Sequence, residues 1–120
     1  MKVISKSIVL SGSLYYRRHL ELINPMLPRR LTEGEINVLS EFMSLGNVED
    51  KFDKTGRKSV MDKLGLSFGS LTNYLSSLRK KGFIIKNAKD SYDIVPILLC
   101  DNDKMVYNFK IENNEEQDKN

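Results

Sequence analysis

The stretch that most constrains this chain runs from Ser67 to Lys86, SFGSLTNYLSSLRKKGFIIK. Leu71, Leu75 and Leu78 recur at helical spacing and share one face. Ser67 before them is a good N-cap, because its hydroxyl can accept an orphan amide of the first turn. Ser70, Thr72, Asn73, Ser76 and Ser77 give the opposite face short hydrogen-bonding side chains. Arg79, Lys80 and Lys81 complement the carbonyl end of the helix dipole. Gly82 can take the left-handed conformation that ends a helix. Phe83, Ile84 and Ile85 then form a short apolar run, a predicted strand.

Just upstream, GRKSVMDKLGL (56–66) places Val60, Met61 and Leu64 at helical spacing, with Gly65 as a stop. Only Gly65 and Leu66 separate the two predicted helices, and so short a turn forces a sharp crossing. Further upstream, Thr32-Glu33-Gly34-Glu35 reads as a capping box. Ile36, Leu39, Phe42 and Met43 follow it as a buried stripe, with Glu33, Glu35 and Glu41 expected on the exposed side. The loop NVEDKFDKTG is also acidic, so that surface is expected to face away from any phosphate.

After Ile85, residues 86–90 form a predicted turn and 91–95 a return strand, together a β-hairpin. With the capped helix, short second helix, glycine turn and "LRKKGFIIK…SYDIVP", residues 32–95 resemble a winged helix-turn-helix over about half the chain. The segment is similar to domains of plasmid replication initiators and MarR-like regulators. The resemblance implies an α+β fold with a three-helix core plus a β-hairpin wing. In such a fold the recognition helix is 67–81 and the wing 83–95. Fold alone does not fix function.

Around this unit the sequence predicts an N-terminal extension (1–31), a C-terminal β-hairpin (96–112) and a polar, disordered tail (113–120). In the extension, 2–10 reads as a strand with Lys2 and Lys6 on the face of Ile4, Ile8 and Leu10. Leu14 to Ile23 reads as a short helix that Pro25 and Pro28 end. Arg17 and Arg18 on it read as solvated, with contact to a partner or DNA as the alternative. Beyond Pro96, the alternation of Met105, Tyr107, Phe109 and Ile111 with Val106, Asn108 and Lys110 predicts a half-buried strand.

Charge supplies the functional argument. The chain carries a formal net charge of +3. Residues 54–86 hold eight basic side chains against the single acid Asp62, a net +7, which leaves −4 for the rest. Positive charge concentrated on a helix-turn-helix is the footprint of a phosphate backbone. In the recognition helix, Ser67, Ser70, Thr72, Asn73 and Ser76 can reach base edges or sugar-phosphate, and Asn73 can bind adenine bidentately. Gly69 lets the backbone approach closely. Arg57, Lys58, Lys80 and the wing's Lys86 and Lys89 are the expected phosphate contacts. Phe68 reads first as a core residue at the helix start, with a thymine-methyl contact as the alternative. No arginine is expected on the base-reading face.

These features predict sequence-specific binding of double-stranded DNA, in replication initiation or transcription regulation, with a homodimer as the expected assembly. The alternative is a winged helix for protein–protein contact in a replication or virion assembly, without enzymatic activity. No phosphate-binding glycine loop or nucleophile motif is present, so no catalytic residue is expected. His19 reads as a packing or surface residue. With one His and one Cys, no metal site, cofactor or small-molecule substrate is expected. The apolar runs are too short to span a bilayer or form a signal-peptide core, which predicts a cytoplasmic protein without a membrane partner.

Overall fold

A computed structural model describes residues 6–46, 50–100, 105–108 and 110–113. Among them are four helices: α1 (Ser13–Ile23), α2 (Glu33–Met43), α3 (Lys54–Leu64) and α4 (Phe68–Lys80). Two short strands, β1 (Ile84–Lys86) and β2 (Tyr92–Ile94), pair antiparallel with Ile84 opposite Ile94 and Lys86 opposite Tyr92. The fold is therefore α+β, and its layout is compatible with the expected three helices and hairpin.

The helices α2, α3 and α4 begin where the sequence offers a side-chain cap, while α1 follows Gly12 without one. Thr32 Oγ1 accepts from the Glu35 amide at 3.2 Å, and Glu35 Oε1 accepts from the Thr32 amide at 2.8 Å, a complete capping box. Asp53 caps α3 through the Gly56 amide at 2.7 Å. Ser67 caps α4 through the Ser70 amide at 3.1 Å. Satisfying these orphan donors fixes the starts of these three helices. The ends follow the same logic: Gly65 (φ 64°) closes α3 and Gly82 (φ 79°) follows α4, both left-handed.

The stripes meet in one core. Leu20 of α1, Leu39 and Phe42 of α2, Val60 of α3, Leu71 and Leu78 of α4, and Phe83 are all buried in it. Leu75 is only half-buried at its edge. Burying side chains of this size contributes about 1.5–3 kcal/mol each. Phe52 stacks on Phe42 with ring centroids 4.4 Å apart and continues edge-on to Tyr92 of β2 at 6.5 Å. That aromatic run joins the core to the hairpin. Where α2 and α4 approach, Gly34 has no room for a side chain: a Cβ there would collide with the Tyr74 ring.

Several expectations are corrected. The described part of the predicted first strand, 6–10, is not in a strand, and residues 1–5 lie outside the described residues. No hairpin forms over 96–112 among the described residues: Pro96–Leu98 is a 3-10 turn that buries Leu98, and 105–108 and 110–111 are not in a strand. Phe109 and residues 114–120, most of the predicted tail, lie outside the described residues. Pro96 presets the turn through its fixed φ, and this segment is held by side chains instead of a ladder. His19 is the anchor. Its Nε2 donates to the Leu98 carbonyl at 2.9 Å, and its Nδ1 accepts from the Tyr107 hydroxyl at 2.6 Å. A carbonyl can only accept, which sets that tautomer. Burial lowers the His19 pKa, with the Leu98 contact opposing it, which favours the neutral ring.

Glu35 is also not exposed. Its side chain is 2% accessible and takes a 2.6 Å ion pair from Lys81, which is itself 23% accessible. Ser77 donates to the same carboxylate at 2.7 Å. Burial pushes the carboxyl upward, but hydrogen bonds from Lys81, the Thr32 amide and Ser77, with the Lys81 charge, hold its pKa below the ordinary value. The residue that completes the cap of α2 thus also fastens α4. Among the described residues, no helix is long and apolar enough to cross a membrane.

Candidate nucleic-acid interface

The leucine face of α4 leaves two polar flanks, and the structure separates the predicted residues between them. On the hairpin side, Thr72 and Ser76 line a cleft with Arg57 of α3. Arg79 and Tyr92 complete that rim. On the opposite side, Ser70 and Asn73 line a second hollow with Thr32, Tyr74 and Ser77 near the start of α2. Gly69, Ser70, Asn73 and Lys80 are exposed, and a Cβ added at Gly69 would meet only open space. Close backbone approach at Gly69 is sterically available.

The predicted readers differ in how committed they are within the protein. Ser67 is used by its cap, and its hydroxyl also donates to Ser70 Oγ at 3.0 Å. Thr72 donates to the Phe68 carbonyl at 2.8 Å, so only its acceptor capacity remains. Asn73 and Ser76 make no side-chain hydrogen bond among the described residues. Phe68 is not a core residue. It is 64% exposed in the first turn of α4, although its spacing of three from Leu71 and seven from Leu75 puts it on the edge of the leucine face.

The cations divide as well. Arg17 and Arg18 pair with Glu21, Lys63 with Glu41, and Lys81 with Glu35. Arg57, Lys58, Arg79 and Lys80 have no carboxylate partner among the described residues. Arg57 instead sends Nε to the Asp53 carbonyl at 3.4 Å, and Arg79 Nη1 donates to the Tyr92 hydroxyl at 2.8 Å. The Arg79 guanidinium lies 5.8 Å from the centre of the Tyr92 ring, within cation–π range.

On the hairpin the two predicted lysines keep acidic company. Lys86 pairs with Asp90 at 2.6 Å, and that hydrogen bond and charge raise its pKa. Lys89 lines a groove with Asp50, Asp53 and Asp93, so the acidic loop lies against this turn and not on a remote surface. Asn87 organises the turn by accepting from the Lys89 and Ser91 amides, with Asp90 left-handed at φ 62°.

Arg79 and Tyr92 are the residues that sequence reading missed. Its place in the last turn marks Arg79 as a partner of the helix dipole, yet it is seven residues after Thr72 and three after Ser76, spacings that place all three on one flank. Tyr92 carried no signal of its own, since its position depends on the hairpin register. No protein-family model, curated protein or solved structure matches this chain.

Proposed function

We propose that this is a winged helix-turn-helix protein that binds double-stranded DNA, with α4 as its recognition helix and the β1–β2 hairpin as its wing. The observation that carries the reading is the segregation of cations. Arg57, Arg79 and Lys80, free of carboxylates among the described residues, border the polar face of the helix that carries Thr72, Asn73 and Ser76, and Lys58, equally free of them, is exposed on α3. Phosphate contacts from such cations orient the helix, and its short polar side chains then read base edges in the major groove. Phe68, exposed beside them, suits a thymine methyl. The carboxylates around Lys86 and Lys89 weaken the wing's share of phosphate binding. A single small domain covers little DNA, so we place it on its sites as a homodimer that regulates transcription or starts replication.

Selection of bound duplexes from a random pool, followed by titration across salt, tests this reading. A recurrent motif and a steep log-linear loss of affinity with salt are expected, because counterions are released when phosphates are neutralised. A flat salt response, or no enriched motif, removes it. Monomers alone in sedimentation with the selected duplex remove the dimer while leaving DNA binding intact.

A further inference from the structure

We infer that the cleft between α4 and the hairpin is a built seat for one tetrahedral phosphoryl oxyanion. It rests on the DNA reading only for the source of that phosphate. The cavity is about 160 Å³, well above the ~10–15 Å³ that a single water needs. Two arginines, Arg57 from α3 and Arg79 from α4, line it with Thr72, Ser76 and Tyr92, and no carboxylate residue does. Phe52, Leu75 and Ile84 supply its apolar lining.

The chemistry of these groups selects the ligand. Two like charges brought to one cavity repel unless an anion lies between them. A guanidinium has five donors in a fixed fork that matches phosphoryl oxygens in pairs. Tyr92 accepts one donor of Arg79 at 2.8 Å, which fixes the plane of that fork and leaves the others for a ligand. The Thr72 hydroxyl already donates to a backbone carbonyl, so the Ser76 and Tyr92 hydroxyls supply the neutral donors. The apolar part of the lining lowers the local dielectric and strengthens each of these interactions relative to open solvent. The phosphoryl group can belong to a nucleic-acid backbone or to free phosphate, and both present the same oxygens.

The test uses the intact chain in two arms. In the first, inorganic phosphate is titrated against chloride at matched ionic strength while the arginine Nε–H signals are followed by NMR. Saturable shifts at Arg57 and Arg79 are expected, and R79Q should abolish the shift at Arg57 while melting as the wild type does. Shifts that rise linearly and equally at all arginines overturn the seat, and this readout needs no variant. In the second arm, R57Q/R79Q is titrated with duplex across salt. One seated phosphodiester predicts a log–log slope flattened by about 0.9. A loss of about 1.8 means two separate phosphates and overturns the single seat. An unchanged slope with the phosphate shifts retained assigns the seat to free phosphate. Phosphate shifts without any duplex binding leave the seat standing and remove the DNA reading. Duplex binding without phosphate shifts does the reverse.

Discussion

The two flanks of α4 are built from similar side chains and are used in opposite ways. On the α2 side, Ser77 and Lys81 converge on the buried Glu35 carboxylate, and Lys81 Nζ also donates to the Arg30 carbonyl at 3.0 Å. On the hairpin side, Ser76 and Arg79 border a cleft that no carboxylate lines. Lys80 and Lys81 are adjacent in sequence, yet one is exposed and the other bound to a buried acid. A basic run at a helix end is therefore not one feature. Rotation by about 100° per residue gives one lysine to the fold and leaves the other to solvent or a partner.

The largest expected effect breaks the folded flank. Glu35→Ala removes half of a buried ion pair, the carboxylate that completes the α2 cap and the acceptor of Ser77. Losing one partner of a buried pair costs about 3–5 kcal/mol. The partial exposure of Lys81 puts this case at the lower end. Urea unfolding measures it, and a loss under about 1 kcal/mol would show that the network fastens nothing. The same group predicts a pH dependence. Its folded pKa lies below the ordinary 4.5, so its stabilisation is fully present above that value. The contribution is lost as pH falls through the lower folded pKa. Glu35→Gln should flatten this part of the acid-unfolding curve, and an unchanged acid limb would assign it to other carboxylates.

The next test sets the neighbouring lysines against each other. Lys81→Met should lower stability by about 1–3 kcal/mol, the cost of leaving a buried charged group short of a partner. It should leave duplex affinity per folded molecule unchanged. Lys80→Met should do the converse. Its stability should move by no more than about 0.5 kcal/mol, while affinity falls about equally on all sequences and the salt slope flattens by about 0.9. Melting curves paired with salt titrations separate the two. Both variants losing affinity alike would mean that the flanks do not divide the work.

What was legible in the sequence follows the same division. Helix positions and caps were readable because they depend on neighbours a few residues away: Thr32 with Glu35, Ser67 with Ser70, and the turn at Gly65. The hairpin was readable from Gly82 and the apolar run after it. The destination of Glu35 was not, because its capping role is local while its contact with Lys81 lies across the fold. The cleft was invisible for the same reason, since Tyr92 reaches Arg79 only once the hairpin folds back over α4. The described parts of the strands expected at 2–10 and 105–111, residues 6–10, 105–108 and 110–111, are not in strands for a different reason. Alternation specifies a strand only where a partner edge exists, and the described part of the C-terminal segment is tied down by His19 and Tyr107 instead.

The smallest expected change in the protein itself is at Asn73, and it decides which flank reads sequence. Asn73 is about 200° round the helix from Leu71 at about 100° per residue, so it points away from the core. Its amide makes no hydrogen bond among the described residues, whereas Ser67, Ser70 and Thr72 are engaged within α4. An asparagine held in the major groove can donate to N7 and accept from N6 of adenine. Asn73→Ala should therefore move stability by no more than about 0.5 kcal/mol. It should cost about 1–3 kcal/mol on the selected duplex and almost nothing on a scrambled one. Thermal melting beside paired binding titrations gives all three values. Equal affinity of Asn73→Ala and wild type on the selected duplex would move base reading to the cleft flank, where Ser76 is the remaining uncommitted side chain. Ser76→Ala should then show the loss that Asn73→Ala did not.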